Sequence, residues 1–158
     1  MLSLITAAAA LLASLVSPLV TLSVARRQFQ ASVISTNRQK WIETLRDRLS
    51  ELISLVNTAH VIKRHSNGPW HGGLRQAQAN LGLTKKFERA HKAMAEIRLL
   101  TSASDPKHKH LNEALAAAVA HVQHEDLRED ELTASIEDVV ALGRTIIRRE
   151  WGRVKRGA

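Results

Sequence analysis

The sequence predicts an all-α protein: an N-terminal transmembrane helix followed by an antiparallel four-helix bundle. Three observations carry this. Apolar residues recur at alternating steps of three and four in four separate segments, which is the helical period. No segment alternates with period two, as a half-buried strand would. Residues 1–25 hold no charged side chain, so the net charge of +8 falls wholly on the remainder. The division this implies is an anchor over residues 1–26 and a helical-bundle domain over 27–158. A chain of 158 residues is room for one domain of ordinary size.

Leu2 to Ala25, "LSLITAAAALLASLVSPLVTLSVA", is 24 residues long, and a helix crossing hydrocarbon needs about 20. A cleaved signal would carry its positive charge before the apolar run, whereas Arg26 and Arg27 follow it. By the positive-inside rule those arginines lie in the cytoplasm and the short N-terminus outside. Ala9, Ala13, Ser17 and Thr21 recur at every fourth residue. They set small side chains on one face, where a second helix could approach; small residues are also simply common in membrane helices.

Beyond the anchor, Ile42, Leu45, Leu49, Leu52, Val56 and Ala59 form a heptad-like seam on a helix running from Gln28 to about His65. It ends at "SNGPWHGG", residues 66–73, the richest cluster of helix breakers in the chain. Leu83, Phe87, Ala90, Met94 and Ile97 mark a second helix that stops at "TSASDP". There Asp105 is a good N-cap and Pro106 a good first residue for the third helix, whose stripe is Leu111, Leu115, Ala118 and Val122. The connector "HEDLRED" leads to a fourth, with Leu132, Ile136, Val139, Gly143, Ile146 and Glu150 in phase. Each stripe is incomplete without its neighbours, and short loops favour an antiparallel bundle.

An even number of helices returns the chain to the level at which it left the anchor, so Glu150 and Trp151 come back beside Arg38 and Trp41. Arg38 lies four residues before Ile42 and continues the first stripe; Glu150 lies on the last. A charge facing a bundle interior requires a counter-charge. The sequence therefore predicts a polar clamp of Arg38 and Glu150, flanked by Trp41 and Trp151, with Asn37 and Gln39 completing the hydrogen bonds. The alternative is an Arg38 that reaches solvent or lipid phosphate while Glu150 pairs with Arg153. Arg148, Arg149, Arg153, Lys155 and Arg156 would end beside Arg26 and Arg27, a basic collar for anionic lipid or another anion.

Other chemistries find little support. With no cysteine there is no disulfide and no thiolate metal or redox site. Five aromatic residues, Phe29, Trp41, Trp70, Phe87 and Trp151, make a poor platform for stacking nucleobases, which argues against nucleic acid. Among eight histidines, His108 and His110 in "KHKH" diverge on a helix, while His121 and His124 share a face and could ligate one ion. "ERAH", Glu88 to His91, has the Glu-x-x-His spacing of di-iron bundles, but those sites need a second copy, which this chain lacks. Surface or boundary positions are the default for the histidines, and no metal or cofactor is expected. No P-loop, dinucleotide fingerprint, nucleophile elbow or H-E-x-x-H motif occurs.

"NRQKWIETLRDRLSEL" after an apolar helix, "IRLLTSASDPKH" in the middle and "REWGRVKRG" near the end resemble a widespread family of small, single-pass, membrane-anchored bacterial proteins with no assigned activity. That resemblance spans nearly the whole chain. It marks Asn37, Arg38, Gln39, Trp41, Ile42, Leu45, Arg46, Glu150, Trp151, Arg153, Val154 and Lys155. The relatives tend to read L-L-N-P where this chain has Leu99, Leu100, Thr101 and Ser102. The resemblance implies a protein of the bacterial inner membrane with its bundle in the cytoplasm. The expected function is non-enzymatic: a membrane-tethered interaction or scaffold module that self-associates, binds a protein partner and touches anionic headgroups. The alternative is an oligomerising membrane effector, in phage defence or stress response, gated by an anionic ligand or partner. An enzyme built on the bundle would need a metal or a buried polar pocket.

Overall fold

The computed structural model describes the backbone of residues 2–66, 73–123 and 129–156, and the side chains of residues 21, 22, 24, 25, 29, 32–65, 73, 77–123 and 129–156. It contains four helices and, among the described residues, no strand: α1 (Leu2–Ser66), α2 (Gly73–Leu100), α3 (Pro106–Gln123) and α4 (Glu129–Lys155). α1 is 65 residues without a break, about 98 Å at 1.5 Å per residue. The boundary expected between residues 26 and 27 therefore falls inside one helix.

Cross-helix pairs give the topology. Arg48 meets Glu96 and Glu51 meets Arg89, so α2 descends against α1. Arg38 meets Glu150 and Arg64 meets Glu129, so α4 descends too. Lys63 donates to the carbonyls of Val122 and Gln123, while the His108 ring lies 6.2 Å from that of Trp41, so α3 rises parallel to α1. The result is the antiparallel four-helix bundle that the four stripes demand.

The seam residues are where their period puts them. Ile42, Leu45, Leu49, Leu52, Val56 and Ala59 are buried, with Ile97, Leu111, Leu115, Val122, Leu132, Val139 and Ile146 facing them. Leu55, Ala93 and Val119 widen the stripes beyond the strict heptad seam, as helices in globular bundles commonly do. Leu83, Phe87, Met94 and Ile136 pack against this core half-buried. Asp105 caps α3 as expected: its Oδ1 accepts the Lys107 N–H at 2.9 Å and its carbonyl accepts the Lys109 N–H at 3.0 Å. Glu129, Asp130 and Glu131 occupy the first turn of α4, where carboxylates offset the helix dipole.

Burial begins abruptly. The described side chains of residues 21–37 are exposed or half-buried, including Leu22, Val24, Phe29, Val33 and Ile34, and among the described side chains of α1 the first fully buried one is Ile42. Among the described residues no helix is long and apolar enough to cross a membrane. The segment expected to do so lies largely outside the described side chains, as do Ala9, Ala13, Ser17, Arg26 and Arg27, whereas Thr21 is exposed.

Candidate functional site

At the end of the bundle from which α1 continues toward its N-terminus lies a cleft of about 570 Å³. Three stretches of chain meet there. α1 contributes Asn37, Arg38 and Trp41; the turn after α2 and the start of α3 contribute Ser102, Asp105 and His108; α4 contributes Arg149, Glu150 and Arg153. These are the three segments on which the family resemblance rests.

The turn is built first, because it carries two of the side chains. Thr101, just past the end of α2, donates its hydroxyl to the Ile97 carbonyl at 2.9 Å, and Asn112 Nδ2 donates to Thr101 Oγ1 at 3.0 Å. The Ser102 N–H donates to His108 Nδ1 at 3.0 Å. Trp41 Nε1–H donates to the Leu100 carbonyl at 2.8 Å, tying α1 to the last residue of α2. His108, read from sequence as a surface or boundary histidine, is instead only 7% exposed. Its position three residues before Leu111 places it on the buried stripe of α3.

Glu150 is the centre of the charge cluster, with its side chain 8% exposed. Arg38 Nε lies 3.5 Å from its Oε2, Arg149 Nε donates to Oε1 at 3.2 Å, and Arg153 Nη1 donates to Oε1 at 3.1 Å. Both pairings weighed from the sequence are thus present together. Arg149, expected in a lipid-facing collar, turns inward and also places Nη2 2.7 Å from Asp105 Oδ2. Asn37 is exposed and Gln39 half-buried, and the donors around Glu150 come from Arg149 and Arg153 rather than from those two amides. Trp151 faces the opposite groove, between α1 and α4. Arg148, Lys155 and Arg156 are exposed.

Each carboxylate oxygen in the cleft is engaged. Two donors are not: Arg38 Nη1 and His108 Nε2 are buried with no hydrogen-bond partner among the described residues. Because Nδ1 accepts from Ser102, the neutral imidazole carries its hydrogen on Nε2. The charged groups are three guanidiniums against two carboxylates, an excess of one positive charge. The cleft thus has a surplus of donors and lacks a free base.

The Arg149 hydrogen bond, and less strongly the Lys107 amide, hold the Asp105 carboxyl down at about 2, against an ordinary value of 3.8. A carboxyl depressed on folding contributes stability above its unfolded value and loses it as pH falls. The melting temperature of the full chain should therefore decline between about pH 4 and pH 2. Asp105→Asn, which can still cap α3, should flatten that decline. A residual slope is expected from Glu51, whose carboxyl Arg89 and Arg48 also hold low. An unchanged acid limb in the variant would remove Asp105 from the account.

Among the described residues no group of three or more His, Asp or Glu side chains could hold a metal ion. His121 Nδ1 lies 3.7 Å from a Glu131 carboxylate oxygen, and His124 is outside the described residues. No family model matches the chain, and no curated protein or solved structure matches it either.

Proposed function

We propose that the chain is a membrane-tethered, non-enzymatic interaction module of the bacterial inner membrane, with its N-terminus outside and its bundle in the cytoplasm, and that it belongs to the family its three motifs resemble. The supporting observation is the engaged chemistry of the cleft. Glu150 and Asp105 spend every carboxylate oxygen on Arg38, Arg149, Arg153 and the Lys107 amide, so the cluster cross-links α1, α3 and α4 and leaves no free base. Tethering is supported by the 25 uncharged residues that begin the chain and by Arg26 and Arg27 directly after them. Self-association through Ala9, Ala13, Ser17 and Thr21 accompanies this reading, as does contact of Arg26, Arg27, Lys155 and Arg156 with anionic headgroups.

The second reading, an effector gated by an anionic ligand, is favoured by the unpartnered donors of Arg38 and His108. Induced expression of the full chain, beside a version beginning at Gln28, separates the two. An interaction module leaves cells polarised and growing, with the full chain in the membrane fraction and the shorter one released. Loss of membrane potential with the full chain alone would move the assignment to the effector. Equal recovery of both forms in the soluble fraction would end the tethering proposal.

A further inference from the structure

The groove between α1 and α4, on the side away from the cleft, encloses about 510 Å³. Its floor is apolar. Val139, Gly143, Ile147 and Trp151 follow one another at intervals of four along α4, facing Leu49 and Ile53 of α1. Such a row leaves a ridge-and-groove surface of the kind into which a further helix packs. Gly143 is what lets the two helices close beneath it: a Cβ built there would meet Leu49 Cδ1 at 3.0 Å.

Three arginines line this groove, Arg46 from α1 and Arg144 and Arg148 from α4. Most other arginines of the bundle are matched, Arg48 with Glu51 and Glu96, Arg64 with Glu129, Arg89 with Glu51, Arg149 with Asp105, while Arg98 and Arg156 stand singly on the surface with no carboxylate partner among the described residues. No carboxylate among the described residues pairs with Arg46, Arg144 or Arg148, and all three are exposed. Arg144 and Arg148 stand one turn apart, the separation of two carboxylates at i and i+4 on a facing helix.

We propose that this groove seats an acidic amphipathic helix of a partner protein, its apolar ridge on the half-buried Ile53, Ile147 and Trp151 and its carboxylates on the three arginines. The inference deepens the interaction-module reading by naming the partner's chemistry, and it rests on that reading. A second copy of this chain does not supply such a helix. The apolar stripes of the bundle are already buried, and the exposed apolar residues of α1, Leu22, Val24, Phe29, Val33 and Ile34, stand in a stretch of sequence that contains arginine and no acid.

The test uses the full chain in nanodiscs of zwitterionic lipid and a fluorescein-labelled 15-residue helical peptide. The peptide carries leucine at the a and d positions, with glutamate flanking them at i and i+4. Fluorescence anisotropy should show saturable binding of this peptide and not of its lysine counterpart, weakening with salt. Arg144→Gln with Arg148→Gln should lower the affinity about tenfold or more. Ser50→Trp, which blocks the groove from an exposed position while keeping every charge, should lower it as well. Equal binding of both peptides, no binding of either, or indifference to these substitutions would overturn the proposal. So would capture of vesicles containing phosphatidylglycerol by the three arginines in place of the peptide. Depolarised cells in the expression experiment would instead remove the interaction-module reading, an outcome that anisotropy does not register.

Discussion

Replacing Glu150 with glutamine is expected to be the most damaging single change in the polar cluster, at about 3–5 kcal/mol, the cost of removing one partner from a buried ion group. The reason is asymmetry. Glu150 is the carboxylate that Arg38, Arg149 and Arg153 share, so its loss leaves three guanidiniums with Asp105 alone. Removing one arginine, as in Arg38→Met, leaves Glu150 with two others and should cost much less. Exchanging the charges, Arg38→Glu with Glu150→Arg, should recover little, because the introduced arginine would lie against Arg149 and Arg153. Urea denaturation of the full chain reads all three. A Glu150→Gln loss no greater than that of Arg38→Met would show that the carboxylate is not the hub of the cluster.

Leu52→Ala should lose about 2–5 kcal/mol, through transfer free energy and the cavity left behind. Leu52 is 1% exposed, in the middle of the buried seam of α1. The same substitution at Leu99, which is 87% exposed, should stay within about 0.5 kcal/mol. Against a total stability of about 5–15 kcal/mol, the first change approaches a loss of folding and the second is silent. Thermal denaturation that failed to separate the two would contradict the register of α1 and α2 in the bundle.

The fold was largely legible because four stripes at helical period, separated by breakers and caps, leave few alternatives. Asp105 and Pro106 announced the start of α3 by type alone. Arg38 and Glu150 could be paired because each continues an apolar stripe, and a polar residue in such a position must find a partner. Arg149 could not, since its partner Asp105 is brought near by the conformation of residues 101–105 rather than by any period. His108 did leave a signal that was passed over: one turn before Leu111, it sits in phase with Leu111, Leu115, Ala118 and Val122. Arg148 was expected in the basic collar and Arg46 was marked by the resemblance, but their grouping with Arg144 in one groove was hidden for the opposite reason. A surface charge is distinguished only by the absence of a neighbour, which requires the folded arrangement to see.

Because α1 runs from Leu2 to Ser66 as one helix, the cleft and the first residues of the chain are carried on one shaft. Each residue advances the helix by about 100°, so the azimuth of Arg38 and Trp41 is set by whatever grips the other end. Lengthening the shaft by two residues between Ser32 and Thr36 would swing the whole bundle through about 200°. Lengthening it by seven would bring it back to within about 20° of its starting phase.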